Sequence, residues 1–224
     1  MKHIIITTII ALCLSLSQAF AADTKTTDGP RTLAIQLGAP FNDHAVLQRG
    51  MKVPVWGWSQ PGTKVTVEFA PRPGSGQAGQ KASATAGKDG KWVAELKDLK
   101  ASFEPASLVI REQGGKTETL EDILVGEVWL ASGQSNMHWP AGRSRVEQLV
   151  EKLEASHAGK VVPIREFQVN SVTSQLHPIE KATGAWKSGN YGDYSATAFA
   201  FAYYLYQEVK VPIGMLNCSF SQTS

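Results

Sequence analysis

The stretch "GEVWLASGQSNMHWP", residues 126–140, decides how this chain is read. Val128-Trp129-Leu130-Ala131 reads as the apolar run of a buried strand. It gives way to small and polar residues, Ser132-Gly133-Gln134-Ser135-Asn136, before the next aromatic at Trp139. Small residues at a strand's end leave room around the backbone. A serine placed where the following helix begins meets N–H groups that have no partner within the helix. That pairing of a hydroxyl with free amides suits acyl transfer, in which a carbonyl oxygen becomes an anion. Losing one such donor typically removes about 2.7–4 kcal/mol of transition-state stabilisation. A serine in that place can equally do no more than cap the helix, and the Ser-x-x-Ser spacing alone leaves both readings open.

Outward from this stretch the rhythm differs on the two sides. Toward the C-terminus, residues 123–131 read as a nearly continuous apolar strand, interrupted at Gly126 and Glu127. Residues 145–157 carry Val146, Leu149, Val150 and Leu153 on one helical face. Residues 161–169 read as a strand. Residues 195–209 form a helix that Ser195 caps and Pro212 ends, and residues 211–219 form a further strand. Strand and helix in alternation predict an α/β layer with parallel strands. Toward the N-terminus, residues 33–120 are β throughout. Residues 53–58 and 64–69 are strands, the second with period-two alternation. Lys88-Asp89-Gly90-Lys91 is a hairpin signal joining residues 81–86 to 92–96. Gly114-Gly115 turns between residues 107–111 and 117–120, and residues 71–79, "PRPGSGQAG", form an exposed loop. Short strands at this spacing predict an antiparallel β-sandwich. The expected organisation is a β-sandwich over 32–121 followed by α/β structure over 122–224. Three parallel strands would leave sheet edges open, so the α/β part reads as the N-terminal portion of a larger domain.

The N-terminus has a short basic start, an apolar run over residues 4–16 and a small-x-small site at Ala19-Phe20-Ala21. These are the three parts of a secretory signal. The run falls short of the ~20 apolar residues that a membrane span needs. Residues 1–21 are therefore expected to be a signal peptide and 22–31 a polar leader, which directs the protein to the periplasm or the exterior with no lasting membrane insertion. Of two cysteines, Cys13 falls in the signal, so Cys218 is left alone. A paired-cysteine zinc site and an intramolecular disulfide are excluded, and Cys218, in an apolar strand, is expected to be buried. A net charge of +2 with no long basic block argues against nucleic acid as partner.

The string "GEVWLASGQSNMHWP" also resembles the first conserved block of the SGNH-hydrolase superfamily, in its sialate O-acetylesterase-like and acetylxylan-esterase-like branch. Residues 46–67 and 194–224 are similar to the flanking parts of that branch. The resemblance implies a β-sandwich followed by an SGNH-type three-layer α/β domain, and a carbohydrate O-acetylesterase that needs no metal or organic cofactor. It makes Ser135 the nucleophile, within the motif Gly133, Gln134, Ser135, Asn136 and Met137. It places a second oxyanion donor in the block that here reads Phe220-Ser221-Gln222-Thr223-Ser224, where Ser221 or Gln222 would supply the N–H in place of a glycine. The branch's Asp-x-x-His pair is expected beyond residue 224. His138, three residues from Ser135, is expected to be a pocket wall rather than the base. Trp139 is a candidate for stacking on a sugar, and Trp186, in a loop, for lining the cleft. Trp56 and Trp58 are expected in the core. His44, His157 and His177 form no recognisable triad. The expected partner is an acetylated sugar or polysaccharide. The altered block at 220–224 favours the alternative of a non-catalytic carbohydrate-binding protein on the same fold.

Overall fold

The computed structural model describes residues 35–158, 160–171 and 180–220. The expected signal peptide and leader, His177, Ser221 and Gln222 lie outside the described residues. Along the chain run β1 (Gln36–Leu37), β2 (Val46–Gln48), β3 (Val53–Trp58), β4 (Lys64–Pro71), β5 (Gln80–Thr85), β6 (Lys91–Leu96), β7 (Ser102–Glu112) and β8 (Thr117–Gly133). They are followed by α1 (Ser135–His138), α2 (Glu147–His157), β9 (Ile164–Val169), β10 (Gly184–Ser188), α3 (Ala196–Val209) and β11 (Ile213–Ser219). This is a mixed α/β protein rich in strands.

The alternation seen in sequence becomes burial. Val53 and Val55 of β3, Val65, Val67 and Phe69 of β4, Trp92, Ala94 and Leu96 of β6, and Leu108 and Ile110 of β7 all point into one core. Each large side chain among them contributes about 1.5–3 kcal/mol of burial free energy. β1, β3 and β6 make a three-stranded antiparallel sheet. The larger sheet runs β10-β9-β11-β8-β7-β4-β5, with β2 also paired to β8.

The 88–91 turn corrects one expectation. Gly90 has φ +78° and Gly87 N–H donates to Lys91 O, so the turn chemistry is present. Yet β5 pairs with β4 and β6 with β3, so the turn carries the chain from one sheet to the other instead of closing a hairpin. The tryptophans are also redistributed. Trp92 is fully buried, whereas Trp56 is half-buried edge-to-face on Phe41 at 4.6 Å, and half-buried Trp58 lies beneath Lys181 Nζ.

β8 links the two rhythms. Its first part, to Val125, pairs antiparallel with β7, and from Glu127 to Gly133 it pairs parallel with β11. The expected boundary at 121/122 falls inside this one strand. Gly126 marks the change of partner: a Cβ there would sit 1.9 Å from the carbonyl oxygen of Pro212. Only glycine lets β11 start so close to β8. Asp122, at φ +56°, precedes this point and holds Arg165 of β9. The guanidinium donates to Asp122 Oδ1 and Oδ2 at 3.0 and 2.9 Å, to Asp122 O at 2.6 Å and to His44 O at 2.9 Å.

The second core lies between β8, β9, β11 and the helices. Val150 and Leu153 of α2 and Ala198, Phe199 and Ala202 of α3 meet Ile164, Ile213 and Met215. α3 starts as expected, with Ser195 Oγ accepting from Ala198 N–H at 3.1 Å. It ends at Lys210 in the left-handed conformation, two residues before Pro212. Trp186 departs from its expected place in a cleft wall. It lies on β10, antiparallel to β9, buried against Phe167 with Nε1 donating to Pro40 O at 2.8 Å. Cys218 is exposed, not buried, because Asn217 and Ser219 take the inward positions of β11. Partial burial still pushes its thiol up. No helix among the described residues is long and apolar enough to cross a membrane.

Candidate active site

β8, β11 and β9 run parallel and end together: Gly133 lies opposite Ser219, and Asn217 lies opposite Gln168. In open α/β sheets the carboxyl ends of the strands are where ligands bind, because the connecting segments leave a crevice there. At these ends the side chains turn polar. Asn217 Oδ1 accepts from Ser219 N–H at 3.0 Å and from Ser219 Oγ at 2.6 Å, while Asn217 Nδ2 donates to Gln168 Oε1 at 3.2 Å.

Beyond Gly133 the chain turns at Gln134 into the single turn of α1. The N–H groups of Met137 and His138 both donate to Gln134 O, at 3.0 and 3.1 Å. Gln134 occupies the capping position without a side-chain cap bond, so Ser135 is not the cap. Ser135 is instead the first residue of the turn and is exposed. The backbone N–H groups of Ser135 and Asn136 find no backbone acceptor among the described residues. A helix of four residues has little macrodipole, so these local amides, rather than a dipole, are what the turn offers an anion. Asn136 O accepts from Thr197 Oγ1 at 3.2 Å and Ser195 Oγ donates to Met137 Sδ at 3.4 Å, which fastens α1 to the start of α3.

His138 faces β11, with Nδ1 3.4 Å from Ser219 Oγ, and no hydrogen bond joins a histidine to Ser135 among the described residues. Trp139 is exposed, and its Nε1 donates to Arg143 O at 2.8 Å.

A pocket of about 420 Å³ opens beside α1, lined by His138, Gln168, Asn170, Asn217, Lys187 and Asp193 among others. A cavity of about 450 Å³ under the loop after β4 is slightly larger, but its wall holds no serine, cysteine or histidine. The pocket beside α1 has in its wall His138, which shares the single turn of α1 with Ser135.

Behind its wall lies Glu166, fully buried on β9, which the reading of residues 161–169 as a strand had passed over. Glu166 Oε2 accepts from Ser195 N–H at 2.8 Å, and Lys187 Nζ lies 3.4 Å from Oε1 while donating to Asp193 O at 2.8 Å. Burial pushes the Glu166 carboxyl above the ordinary carboxylate range, with the Ser195 amide and Lys187 pulling the other way. The adjacent Arg165 points to the opposite face, as successive strand residues must. Two neighbouring charges inside an apolar strand were the available signal for both. Among the described residues no cluster of three or more His, Cys, Asp or Glu could hold a metal ion.

No family model matches the chain. It is 25% identical over 202 residues to "Sialate O-acetylesterase" of Rattus norvegicus and 26% identical over 205 residues to that of Mus musculus. Each alignment covers 85% of this chain, but only 36% and 37% of those relatives. Among solved structures, a carbohydrate acetylesterase from Xanthomonas citri matches with a TM-score of 0.70 and 33% identity, over 85% of this chain and 41% of that one. The chain thus spans well under half the length of the proteins it is similar to.

Proposed function

We propose, from the premise that this chain is a homologue of the sialate O-acetylesterases in a sialate O-acetylesterase-like SGNH branch, that it carries the nucleophile of an exported carbohydrate O-acetylesterase. The observation that carries the reading is the exposed Ser135 on the turn that follows β8, beside a pocket built at the carboxyl ends of β9 and β11. Ser135 Oγ attacks the acetyl carbonyl carbon, and the Ser135 N–H, with Asn136 beside it, holds the oxyanion. The ester C–O bond then breaks, the sugar leaves as its alcohol, and water hydrolyses the acetyl-serine to acetate. In this reading a second oxyanion N–H comes from Ser221 or Gln222. The histidine that takes the serine proton is the one that the family resemblance expects beyond residue 224, because His138 is turned toward Ser219. Residues 32–121 form the β-sandwich and 122–224 open the SGNH-type α/β domain, with residues 1–21 removed on export.

The full-length protein, including the residues beyond 224 that carry the expected histidine, should hydrolyse 4-nitrophenyl acetate. Ser135→Ala should lower turnover by at least about a hundredfold, the scale of losing an essential group of the machinery, with the melting temperature unmoved. Unchanged turnover in that variant sinks the assignment. The same expression experiment tests export: N-terminal sequencing of the released protein should begin near Ala22, and an intact Met1 would refute the signal. A non-catalytic carbohydrate-binding protein is the second reading, favoured by the lack of a histidine bonded to Ser135 among the described residues. It predicts no hydrolysis even in the unaltered full-length protein.

A further inference from the structure

Glu166 is a buried carboxylate that the proposed reaction does not use, and its contacts lead to the turn that carries Ser135. We propose that Glu166 is a positioning residue: by gripping the backbone at the start of α3, it sets where α1 presents the Ser135 hydroxyl. The consequence for catalysis rests on the nucleophile reading above.

α1 cannot hold its own place. Isolated helices shorter than about 12–15 residues are marginal in water, and α1 is a single turn with no buried residue. Its fastenings run to residues 194–197. Thr197 Oγ1 donates to Asn136 O at 3.2 Å, and Ser195 Oγ donates to Met137 Sδ at 3.4 Å. Just past the turn, Ala196 N–H donates to Trp139 O at 2.7 Å and Ala141 N–H donates to Tyr194 O at 2.8 Å. These two bonds flank an antiparallel bridge between Pro140 and Ser195. A shift of residues 194–197 therefore carries the Ser135 turn with it.

Glu166 fixes that segment from β9. A buried N–H demands an acceptor, and for the buried Ser195 the acceptor is Glu166 Oε2 at 2.8 Å. Hydrogen bonds from an amide to a carboxylate are among the stronger ones. Lys187 of β10 engages the other oxygen: its Nζ lies 3.4 Å from Oε1 and donates to Asp193 O at 2.8 Å. The Tyr194 hydroxyl donates to Lys187 O at 2.6 Å. Residues 193, 194 and 195 are thus held in succession from β9 and β10, and β9 is itself paired on both sides, with β10 and β11. Misplacing a reacting group by about 1 Å can cost about a hundredfold in rate, so a grip on the segment that carries the turn bears on turnover without touching substrate.

Reach and charge can be separated. Glu166→Gln keeps the length, and an oxygen for the Ser195 N–H, but loses the charge. Glu166→Asp keeps the charge beside Lys187 but withdraws the oxygens by one C–C bond, about 1.5 Å. Both are assayed in the full-length protein with 4-nitrophenyl acetate, below the melting temperature of every variant. Glu166→Asp should lower kcat about tenfold with KM little changed, within the range that misplacement produces, whereas Glu166→Gln should keep most of the parent turnover. A residue that served stability alone would lower the melting temperature and leave kcat where it was. Hydrogen exchange read by mass spectrometry needs no turnover: the peptide over 133–140 should exchange faster in Glu166→Asp than in the parent or in Glu166→Gln, with the peptide over β4 unmoved. If Glu166→Asp does not fold, Thr197→Val, at an exposed position, cuts the link to Asn136 and should lower kcat severalfold with the melting temperature held. Parent-like kcat and exchange in Glu166→Asp overturn the proposal, as does a Glu166→Gln variant as slow as Glu166→Asp, or an unaffected Thr197→Val where Glu166→Asp does not fold. A full-length parent that fails to hydrolyse the ester sinks the nucleophile reading instead, and the exchange comparison still decides whether Glu166 positions the turn.

Discussion

Glu166 shows how one residue can bear on both the pocket and the stability of the whole. Its carboxyl is buried and pushed up, chiefly by desolvation, against the pull of Ser195 N–H and Lys187. When the folded value lies above the unfolded one, the folded state holds the proton more firmly. The contribution is therefore fully present below the ordinary value of 4.5 and is lost as pH rises through the raised value. Urea midpoints measured upward from pH 4.5 should carry this downward term, and Glu166→Gln should remove it. The amide keeps an oxygen for the Ser195 N–H while ending the titration. Glu127, held low by its hydrogen bond from Arg49, acts oppositely and at lower pH, where protonation ends its contribution. The difference between the parent and the Glu166 variant thus isolates Glu166. An unchanged slope in the variant would refute the assignment. Arg165 and Glu166 were not legible because strand character over residues 161–169 does not say which side chains face buried partners. An embedded charge pair signals buried partners, and those partners are distant in sequence.

At the scale of elements, local chemistry was legible and pairing was not. The strands at 53–58 and 64–69, the helix at 195–209 with its Ser195 cap, and the turn at Gly90 all form close to where their residues place them. Which strands the turn at 88–91 would pair could not be read, because β4 and β3, the partners of β5 and β6, are fixed by side chains facing a common core rather than by the turn. β10 was missed for a related reason: five residues beside a loop acquire strand character only by pairing with β9. Gly126 was read as an interruption of its strand, whereas its role is to admit the carbonyl of Pro212. Gly126→Ala should therefore be severe for so small a change. The contact is backbone against backbone, so no side chain can swing clear, and the loss should reach about 3 kcal/mol, the upper end for overpacking. A chemical denaturation midpoint measures it, and a loss under about 1 kcal/mol would mean that β11 can move aside at little cost. The candidate site shares this dependence, since β11 carries Asn217 and Ser219 to the pocket from that starting point.

At the scale of the molecule, the question is whether the β-rich part and the α/β part unfold together. The change of rhythm near residue 121 was visible in sequence, but the continuity of β8 through it was not, because a strand that changes partners midway gives no local signal. Arg165 crosses this region, tying β9 to Asp122 on β8 and to the backbone of His44. The guanidinium is almost wholly buried, and burial lowers its pKa while Asp122 opposes that shift. Removing the partner charge leaves a buried cation short of compensation, which typically costs about 3–5 kcal/mol. Two backbone carbonyls still accept from Arg165 and Asp122 is partly exposed, so the lower end applies here. Asp122→Asn is the informative substitution, because asparagine tolerates the left-handed backbone that Asp122 adopts. If both parts share one cooperative transition, calorimetry should show a single endotherm that moves down as a whole, with far-UV and near-UV signals falling together. Two separated transitions, with only the lower one displaced by Asp122→Asn, would mean that β8 spans two units that fold apart, and that Arg165 stabilises only one of them.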